Sequence, residues 1–298
     1  MYPRAAIDLA WALGNHIKGF LVETNPIFEL QDVSFTYDRS QIALDRINLT
    51  VCQGESLAIL GANGSGKSTV LKLLDGLSFA TGGVIKAFGE TLSERAFLDE
   101  DFNFSFRRQV GLLFQNADVQ LFSPTVLDEV AFAPLQLGIS QEDAMARVNS
   151  ALQELRIDQL RNRAPHRLSG GEKRKVALAS ILSLNPDIWL MDEPTAGLDP
   201  RSQAWLVDFI IDQHQNGHTI ITATHDLSLV EAVADRVCIL NEDHQVAAIG
   251  TPAKILSDHD LLLSCNLIHE HRHLHPGGDP HRHPHTHYPL HHHDHSGE

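Results

Sequence analysis

A glycine-rich segment at residues 61–68 constrains this chain most strongly, and it reads Gly-Ala-Asn-Gly-Ser-Gly-Lys-Ser. It fits the pattern Gly-x-x-x-x-Gly-Lys-[Ser/Thr], whose backbone N–H groups converge on phosphate oxygens at the start of a helix. Lys67 is expected to neutralise the terminal phosphates, and the Ser68 hydroxyl to hold Mg²⁺. We predict a nucleotide-phosphate site that uses Gly61, Asn63, Gly64, Ser65, Gly66, Lys67, Ser68 and Thr69.

The residues on either side of this loop have the order that a phosphate site requires. Residues 56–60 form a short apolar run typical of a buried parallel strand, and residues 67–77 have apolar positions at helical spacing. This context argues against a glycine-rich turn that matches the pattern by chance.

An acidic pair, Asp192-Glu193, ends a second apolar run at residues 188–191. Both carboxylates are expected at the carboxyl end of a buried strand, where open α/β sheets bind their ligands. We expect Asp192 to hold Mg²⁺ through its water shell, and Glu193 to act as the general base that polarises the attacking water. The alternative is an acidic turn that caps the next helix. With the phosphate loop, the pair indicates ATP.

A third segment, residues 168–172, reads Leu-Ser-Gly-Gly-Glu and leads into a predicted helix at residues 172–183. The start of that helix offers an anion the hydroxyl and backbone N–H groups of Ser169, Gly170 and Gly171. Two anion sites so far apart in one chain suggest that each is half of a complete site.

Together these segments resemble the nucleotide-binding subunit of an ABC transporter, and the resemblance covers about residues 27–263. Residues 168–172 match the ABC signature, and residues 196–199 match the D-loop, which ends at Asp199. Further matches are the Q-loop Gln115, the switch histidine His225 and the adenine-stacking aromatic Tyr37. The resemblance implies that Gln115 and His225 position water, the γ-phosphate and Mg²⁺ around the general base.

The same resemblance implies an α/β fold with a RecA-like P-loop NTPase core, an antiparallel β-subdomain and an α-helical ABC subdomain at about residues 116–183. It also implies a head-to-tail dimer in which Lys67 of one subunit and Ser169 of the other contact the same ATP. Closure would assemble the site, and hydrolysis would release it. The second ATPase subunit can be identical or different, since one complete set of motifs fits either.

Residues 114–122 and 125–135 resemble the ATPases of energy-coupling-factor importers, above all the cobalt and nickel branch. Ala117 and Ala133 depart from that family, which usually has Pro and Gly there. In the family this surface receives the coupling helix of a membrane protein. The resemblance implies two further partners, a membrane coupling protein and a substrate-binding membrane component, and a location on the cytoplasmic face of the cell membrane.

The C-terminal residues 264–298 are rich in histidine, and we interpret them as a flexible tail. Imidazole suits nickel, cobalt, copper and zinc, and most histidines are neutral at cytosolic pH. We therefore predict that the tail binds Ni²⁺, Co²⁺ or Zn²⁺ through His269, His271, His273, His275, His281, His283, His285, His287, His291, His292, His293 and His295. A purification tag, adventitious affinity without a biological role, and metal storage remain as alternatives.

The formal net charge of −15 argues against general nucleic-acid binding, which requires a basic surface. Lys173, Arg174 and Lys175 do cluster, but we interpret them as the outer side of the signature helix. The chain has no run of about 18 or more apolar residues, so it needs partners to reach a membrane. Residues 1–26 precede the family core, and a docking helix, a disordered leader and a misassigned start are all open for them.

The sequence thus predicts the ATPase subunit of an importer, with nickel or cobalt as the cargo that best explains the tail. Three alternatives remain open. The importer could serve a vitamin, with the tail as a metal buffer, or it could serve zinc. From another class, a metal-storage protein could keep a vestigial ATPase.

Overall fold

The structure is a computed structural model that describes residues 25–38, 41–273 and 281–286, with side chains described through residue 269. Residues 1–24, for which a docking helix was one of the open interpretations, lie outside the described residues. So do six of the tail histidines, which are His275, His287, His291, His292, His293 and His295.

The centre of the fold is a six-stranded sheet in the order β10-β9-β3-β8-β7-β6. Neighbouring strands from β9 to β6 run parallel, and β10 pairs antiparallel with β9 at the edge. Apolar runs form these strands because helices cover both faces, and every residue of β3, β7 and β8 is buried. The strands are β3 (Ser56–Gly61), β6 (Val110–Leu113), β7 (Ile188–Asp192), β8 (Thr219–Thr224), β9 (Arg236–Leu240) and β10 (Val246–Gly250).

A four-stranded antiparallel sheet lies over one side of this core, in the order β2-β1-β4-β5. Helix α1 (Lys67–Leu74) packs beneath it, and Leu71 and Leu73 share a core cluster with Phe28, Leu44 and Leu190. The strands are β1 (Pro26–Tyr37), β2 (Gln41–Cys52), β4 (Gly82–Ala87) and β5 (Glu90–Thr91). The predicted α/β class and the predicted antiparallel sheet are both confirmed.

Two helices that we did not predict follow this sheet, α2 (Glu94–Phe97) and α3 (Glu100–Gln109). Helix α3 is polar apart from its aromatic residues, and only Phe106 is buried. The Phe106 ring lies 5.0 Å from the Phe97 ring, nearly perpendicular to it. Aromatic packing therefore holds a helix whose composition alone predicts exposure.

A helical region follows β6 and packs around a second core cluster that includes Val130, Leu152, Val176 and Trp189. It has four α-helices, which are α4 (Ala117–Gln120), α5 (Val126–Gln136), α6 (Gln141–Glu154) and α7 (Gly170–Leu184). The Ser183 hydroxyl donates to the Val130 carbonyl oxygen at 2.7 Å and joins α7 to α5.

The remaining helices are α8 (Pro200–Gln215), α9 (Leu227–Val233), α10 (Pro252–Leu256) and α11 (His259–Ser264). A third core cluster joins α10 and α11 to the central sheet, and its buried members continue past α11 to Leu267 and Ile268. Packed structure thus extends into residues 264–298, which we interpreted as the tail.

The tail contains a two-stranded antiparallel sheet formed by β11 (Ile268–His273) and β12 (His281–Thr286). We predicted flexible chain without regular structure here, whereas the structure has a strand in each of these two segments. Histidine at every second position matches the period of a strand, in which alternate residues share a face.

Candidate active site

The phosphate loop connects the carboxyl end of β3 to the first residue of α1, as predicted. Gly66 has φ +106°, and a Cβ there would lie 2.4 Å from the backbone oxygen of Ala43. At Gly61 a Cβ would lie 2.5 Å from the Ser65 hydroxyl oxygen. The close packing of the loop therefore requires glycine at both positions. Helix α1 directs the positive end of its dipole toward this loop.

Lys67 is buried at the start of α1, and its ammonium group lies against the loop. Nζ donates to the carbonyl oxygens of Gly61 at 2.8 Å and Ala62 at 3.1 Å, and lies 3.5 Å from Glu193 Oε1. Burial lowers the pKa of Lys67, while the Glu193 carboxylate opposes that shift. An anion placed at the loop would compensate the buried charge, which is what a phosphate-binding lysine needs.

Asp192 ends β7 and lies beside the phosphate loop. Burial raises its pKa, and the nearby Ser68 hydroxyl opposes that shift. Its Oδ1 atom is buried and makes no hydrogen bond within the part of the chain that the structure describes. A buried carboxylate oxygen next to a hydroxyl is a suitable start for a Mg²⁺ site, because Mg²⁺ prefers oxygen ligands. The residues present therefore fit the predicted ion.

Glu193 follows β7 with φ +44°, a left-handed conformation that non-glycine residues rarely adopt. Its Oε2 accepts a hydrogen bond from the Thr224 hydroxyl at 3.1 Å, and its Oε1 lies 2.9 Å from His225 Nδ1. Backbone strain of this kind costs about 1–3 kcal/mol and is typical of active sites. The carboxylate is thus held between two parallel strands, above their carboxyl ends.

The structure brings Lys67, Ser68, Asp192, Glu193 and His225 together at one edge of the central sheet. Parallel strands β3, β7 and β8 all end there, so residues from distant segments meet. This is the cluster that the motifs predicted. Thr224 belongs to it as well, and no motif indicated that residue beyond its place before His225.

Other predicted residues lie around this cluster. Tyr37 ends β1 about one-third exposed, and its hydroxyl lies 3.3 Å from the Thr69 hydroxyl. Gln115 is exposed just after β6. Asp199 caps α8 by accepting from the backbone N–H groups of Arg201 and Ser202.

The signature residues begin α7, where Ser169 and Glu172 form a capping box. A Cβ added at Gly170 or Gly171 would meet no atom within 4 Å, so this helix start is open. Among the described residues, no hydrogen bond or ion pair joins it to the phosphate loop. The helix start that we predicted as a second anion site is therefore not part of the cluster around the phosphate loop.

Arg174 is the functional candidate that our interpretation missed. We placed it on the outer side of α7, and that is wrong, because the residue is only 6% exposed. Its guanidinium group donates to backbone oxygens that follow β6 and β7. A run of three basic residues gives no sign of which one is buried.

The comparison with protein families supports the assignment that the site geometry suggests. A family model described as ABC transporter matches residues 44–196, which include the phosphate loop, the signature and the acidic pair. The chain belongs to the ABC transporter ATP-binding family. This ABC subunit is an ATPase coupled to transport, and its domain binds ATP, typically with Mg²⁺.

Individual relatives place the ABC subunit near the energy-coupling-factor ATPases, which confirms the predicted resemblance. It is 49% identical over 246 residues to the nickel import ATP-binding protein NikO of Rhodobacter capsulatus, covering 82% of this chain and 96% of the relative. It is 39% identical over 241 residues to the energy-coupling factor transporter ATP-binding protein EcfA of Methanococcus maripaludis, covering 81% and 85%.

The structural neighbours are ABC cassettes. The cbiO1 protein of Clostridium perfringens, part of the ABC transporter complex cbiONQ, superposes with a TM-score of 0.67 at 30% identity, over 82% of this chain and 95% of that one. ABC ATPases function as dimers with membrane components. In the described part of this ABC subunit, no helix is long and apolar enough to cross a membrane.

Proposed function

We propose that this protein is the ATP-hydrolysing subunit of an energy-coupling-factor importer that takes up nickel or cobalt ions. The observation that carries the proposal is the 49% identity to a protein named for nickel import, over nearly the whole relative. The histidine-rich tail supports the same cargo, because imidazole is a good ligand for these ions.

In this proposal the cluster at the sheet edge performs ATP hydrolysis. Lys67 and the loop N–H groups bind the phosphates, and Tyr37 stacks on adenine. Glu193 polarises the attacking water, and His225 and Gln115 position that water and the γ-phosphate. Mg²⁺, held by Ser68, Asp192 and Gln115, would neutralise charge on the phosphate oxygens.

The open start of α7 favours a head-to-tail dimer. A Cβ added at Gly170 or Gly171 would meet no atom within 4 Å, which leaves room for an anion at their backbone N–H groups beside Ser169. In the proposed dimer this start contacts ATP bound at the Lys67 loop of the other subunit, and Asp199 lies at the same interface. ATP would then close the dimer, and hydrolysis would open it.

An exposed apolar surface on α4 and α5 supports the proposed docking of a membrane coupling protein. Phe122 and Phe132 are exposed, and their rings pack at right angles with centroids 4.8 Å apart. The buried Glu129 carboxylate accepts from the backbone N–H groups of Phe122 at 2.9 Å and Ser123 at 2.6 Å, which fixes this loop. A fixed, exposed aromatic pair suits an apolar helix of a partner. This contact would hold the ATPase on the cytoplasmic face of the membrane.

The deciding experiment measures cellular nickel, cobalt and zinc by elemental mass spectrometry under metal-limited growth. Wild type is compared with a chromosomal Glu193→Gln variant, and exposed Glu231→Gln serves as the matched control. A selective fall in nickel or cobalt in Glu193→Gln alone is expected. A selective fall in zinc would identify a zinc importer instead.

A vitamin importer is the second candidate, because the EcfA relatives carry no ion in their names. Unchanged metals in the Glu193→Gln strain would favour it, and vitamin-limited growth of the same strain would then test it. The tail would in that case act as a metal buffer. Bound metal with no ATP turnover sensitive to Glu193→Gln would instead indicate a storage protein.

A further inference from the structure

The tail hairpin aligns histidines across its two strands. The register pairs His269 with His285, His271 with His283 and His273 with His281. Because alternate residues of a strand share a face, all six residues on one face of this hairpin are histidine. The opposite face carries Ile268, Glu270, Arg272, Arg282, Pro284 and Thr286.

This placement suits a metal ion. Residues directly opposite in an antiparallel pair have Cβ atoms about 4.5–5.5 Å apart. Residues two apart along a strand are separated by about 7 Å. A metal–nitrogen bond of about 2.0–2.1 Å lets two opposed imidazoles share one ion, and two adjacent pairs supply four nitrogen donors. A slip of one residue would place Arg or Pro opposite histidine and destroy the arrangement.

We propose that this histidine face, centred on the paired positions 271 and 283, binds one late divalent transition-metal ion. The proposal deepens, and rests on, the metal-binding role proposed for the tail. Ile268, the first residue of β11, is buried in the third core cluster, so the hairpin begins at a fixed point of the ATPase. Nitrogen ligands also favour nickel, copper and zinc over Mg²⁺, which keeps this site separate from the ATP site.

The test compares three double variants of the full chain for Ni²⁺ affinity, measured by competition with a chelator. His271→Ala/His283→Ala removes one cross-strand pair, and His291→Ala/His293→Ala removes as many histidines outside the hairpin. Arg272→Ala/Arg282→Ala changes the opposite face of the same strands. We expect the first variant to weaken the highest Ni²⁺ affinity by about 100-fold or more. This loss should exceed the loss of about 10- to 100-fold that follows mutation of a residue hydrogen-bonded to a metal ligand. The other two should stay within about threefold of wild type, far below that loss.

Equal losses of Ni²⁺ affinity from the two histidine variants would overturn the proposal, because histidines inside and outside the hairpin would then contribute equally to metal binding. An equal loss in the arginine variant would overturn it as well. Because the Ni²⁺ affinity is measured on purified protein, a result that overturns the hairpin proposal would not contradict the import proposal. Unchanged cellular metal in Glu193→Gln would reject import and leave the hairpin site intact.

A second and independent observation concerns Arg174. Its Nη1 donates to the carbonyl oxygens of Phe114 at 2.5 Å and Gln115 at 2.6 Å. Its Nη2 donates to those of Asp192 at 3.1 Å and Glu193 at 2.6 Å. One buried guanidinium on the signature helix therefore holds the backbone of both segments that carry the proposed water-positioning and general-base residues.

We infer that Arg174 is a positioning residue that makes the placement of Gln115 and Glu193 depend on the position of α7. Four carbonyl oxygens face a single planar group, so a shift of α7 must move the backbone of both segments or break these bonds. The start of α7 is the proposed contact with the partner's ATP. Arg174 would thus connect dimer closure to the geometry around the attacking water.

Arg174→Lys keeps the charge but cannot make this set of bonds. Arg107→Lys is the matched control, because the Arg107 guanidinium also donates to a backbone carbonyl oxygen, that of Asp75, and to the Asp75 carboxylate. We expect Arg174→Lys to lower kcat by about 100-fold, the scale for a small misplacement of reacting groups. Its KM for ATP and thermal midpoint should change no more than in the control. An unchanged kcat, or a kcat that falls equally in both variants, would reject the inference.

Discussion

Glu193 Oε1 lies 2.9 Å from His225 Nδ1, and this contact joins the residue after β7 to the residue after β8. The two residues are far apart in sequence, but their strands are neighbours in the central sheet. Glu193 is further held by Thr224 and by its own left-handed backbone. The carboxylate that we propose as general base is therefore fixed by the core of the sheet rather than by a mobile loop.

Glu193→Gln should retain ATP binding and lower kcat by roughly 10²- to 10⁴-fold, because an amide cannot act as a base. ATP should then trap a closed dimer. Turnover assays and light scattering with ATP measure the two effects. Exposed Glu231→Gln should turn over and remain open like wild type. Normal turnover in Glu193→Gln would show that another group accepts the proton.

His225→Ala should lower kcat with little change in ATP affinity, because His225 contacts the Glu193 carboxylate while the phosphate loop provides most of the proposed nucleotide binding. We expect a loss of about 100-fold, as for other misplaced reacting groups. His259→Ala, at an exposed position, is the control. If ATP affinity falls and kcat does not, His225 binds the phosphate and does not position the base.

Lys67→Ala should remove most ATP affinity. Hydrogen bonds to charged groups contribute about 1.5–3 kcal/mol each, so the loss should be roughly 10- to 100-fold or more. Equilibrium binding of a fluorescent ATP analogue measures it. Exposed Lys254→Ala tests whether a general loss of positive charge has the same effect. Similar losses in both variants would contradict a specific phosphate contact.

Much of this site was predictable because its determinants are local. The apolar runs predicted β3 and β7 closely, and glycine spacing predicted the phosphate loop. Parallel strands then bring their carboxyl ends to one edge, which predicts that the phosphate loop and Asp192 converge.

The rest depends on contacts between distant segments. Arg174 is buried only because β6 and β7 place four carbonyl oxygens around it, and nothing in a Lys-Arg-Lys run indicates this. Helix α1 ends at Leu74 and not at residue 77, since Gly76 follows with φ +68°. The register of the tail hairpin depends on how its two strands pair. The alternation of histidine within one strand does not specify that pairing.

Asp75 predicts a pH dependence of stability. Burial raises its pKa to about 7, although the Arg107 guanidinium lies 3.0 Å away and opposes the shift. A carboxyl with a higher pKa in the folded state binds more protons when folded, so stability falls as pH rises from about 4 to about 7. Asp75→Asn should remove this component, on the order of 4 kcal/mol across that range. Urea unfolding of both proteins at several pH values measures it, and parallel pH profiles would contradict the prediction.

Removal of the tail should leave ATP hydrolysis intact, because none of the residues in the sheet-edge cluster lies beyond His225. The position of the cut matters for stability, since Leu267 and Ile268 are buried in the third core cluster. A chain that ends at His269 keeps both side chains, and a chain that ends at Asn266 loses both. Burial of one such side chain contributes about 1.5–3 kcal/mol, so the shorter chain should unfold at a lower temperature while both chains retain wild-type kcat. Calorimetry and turnover assays on the two chains separate these effects. Loss of turnover in the longer chain would show that the tail acts on the ATP site, because the hydrophobic core of that chain is complete.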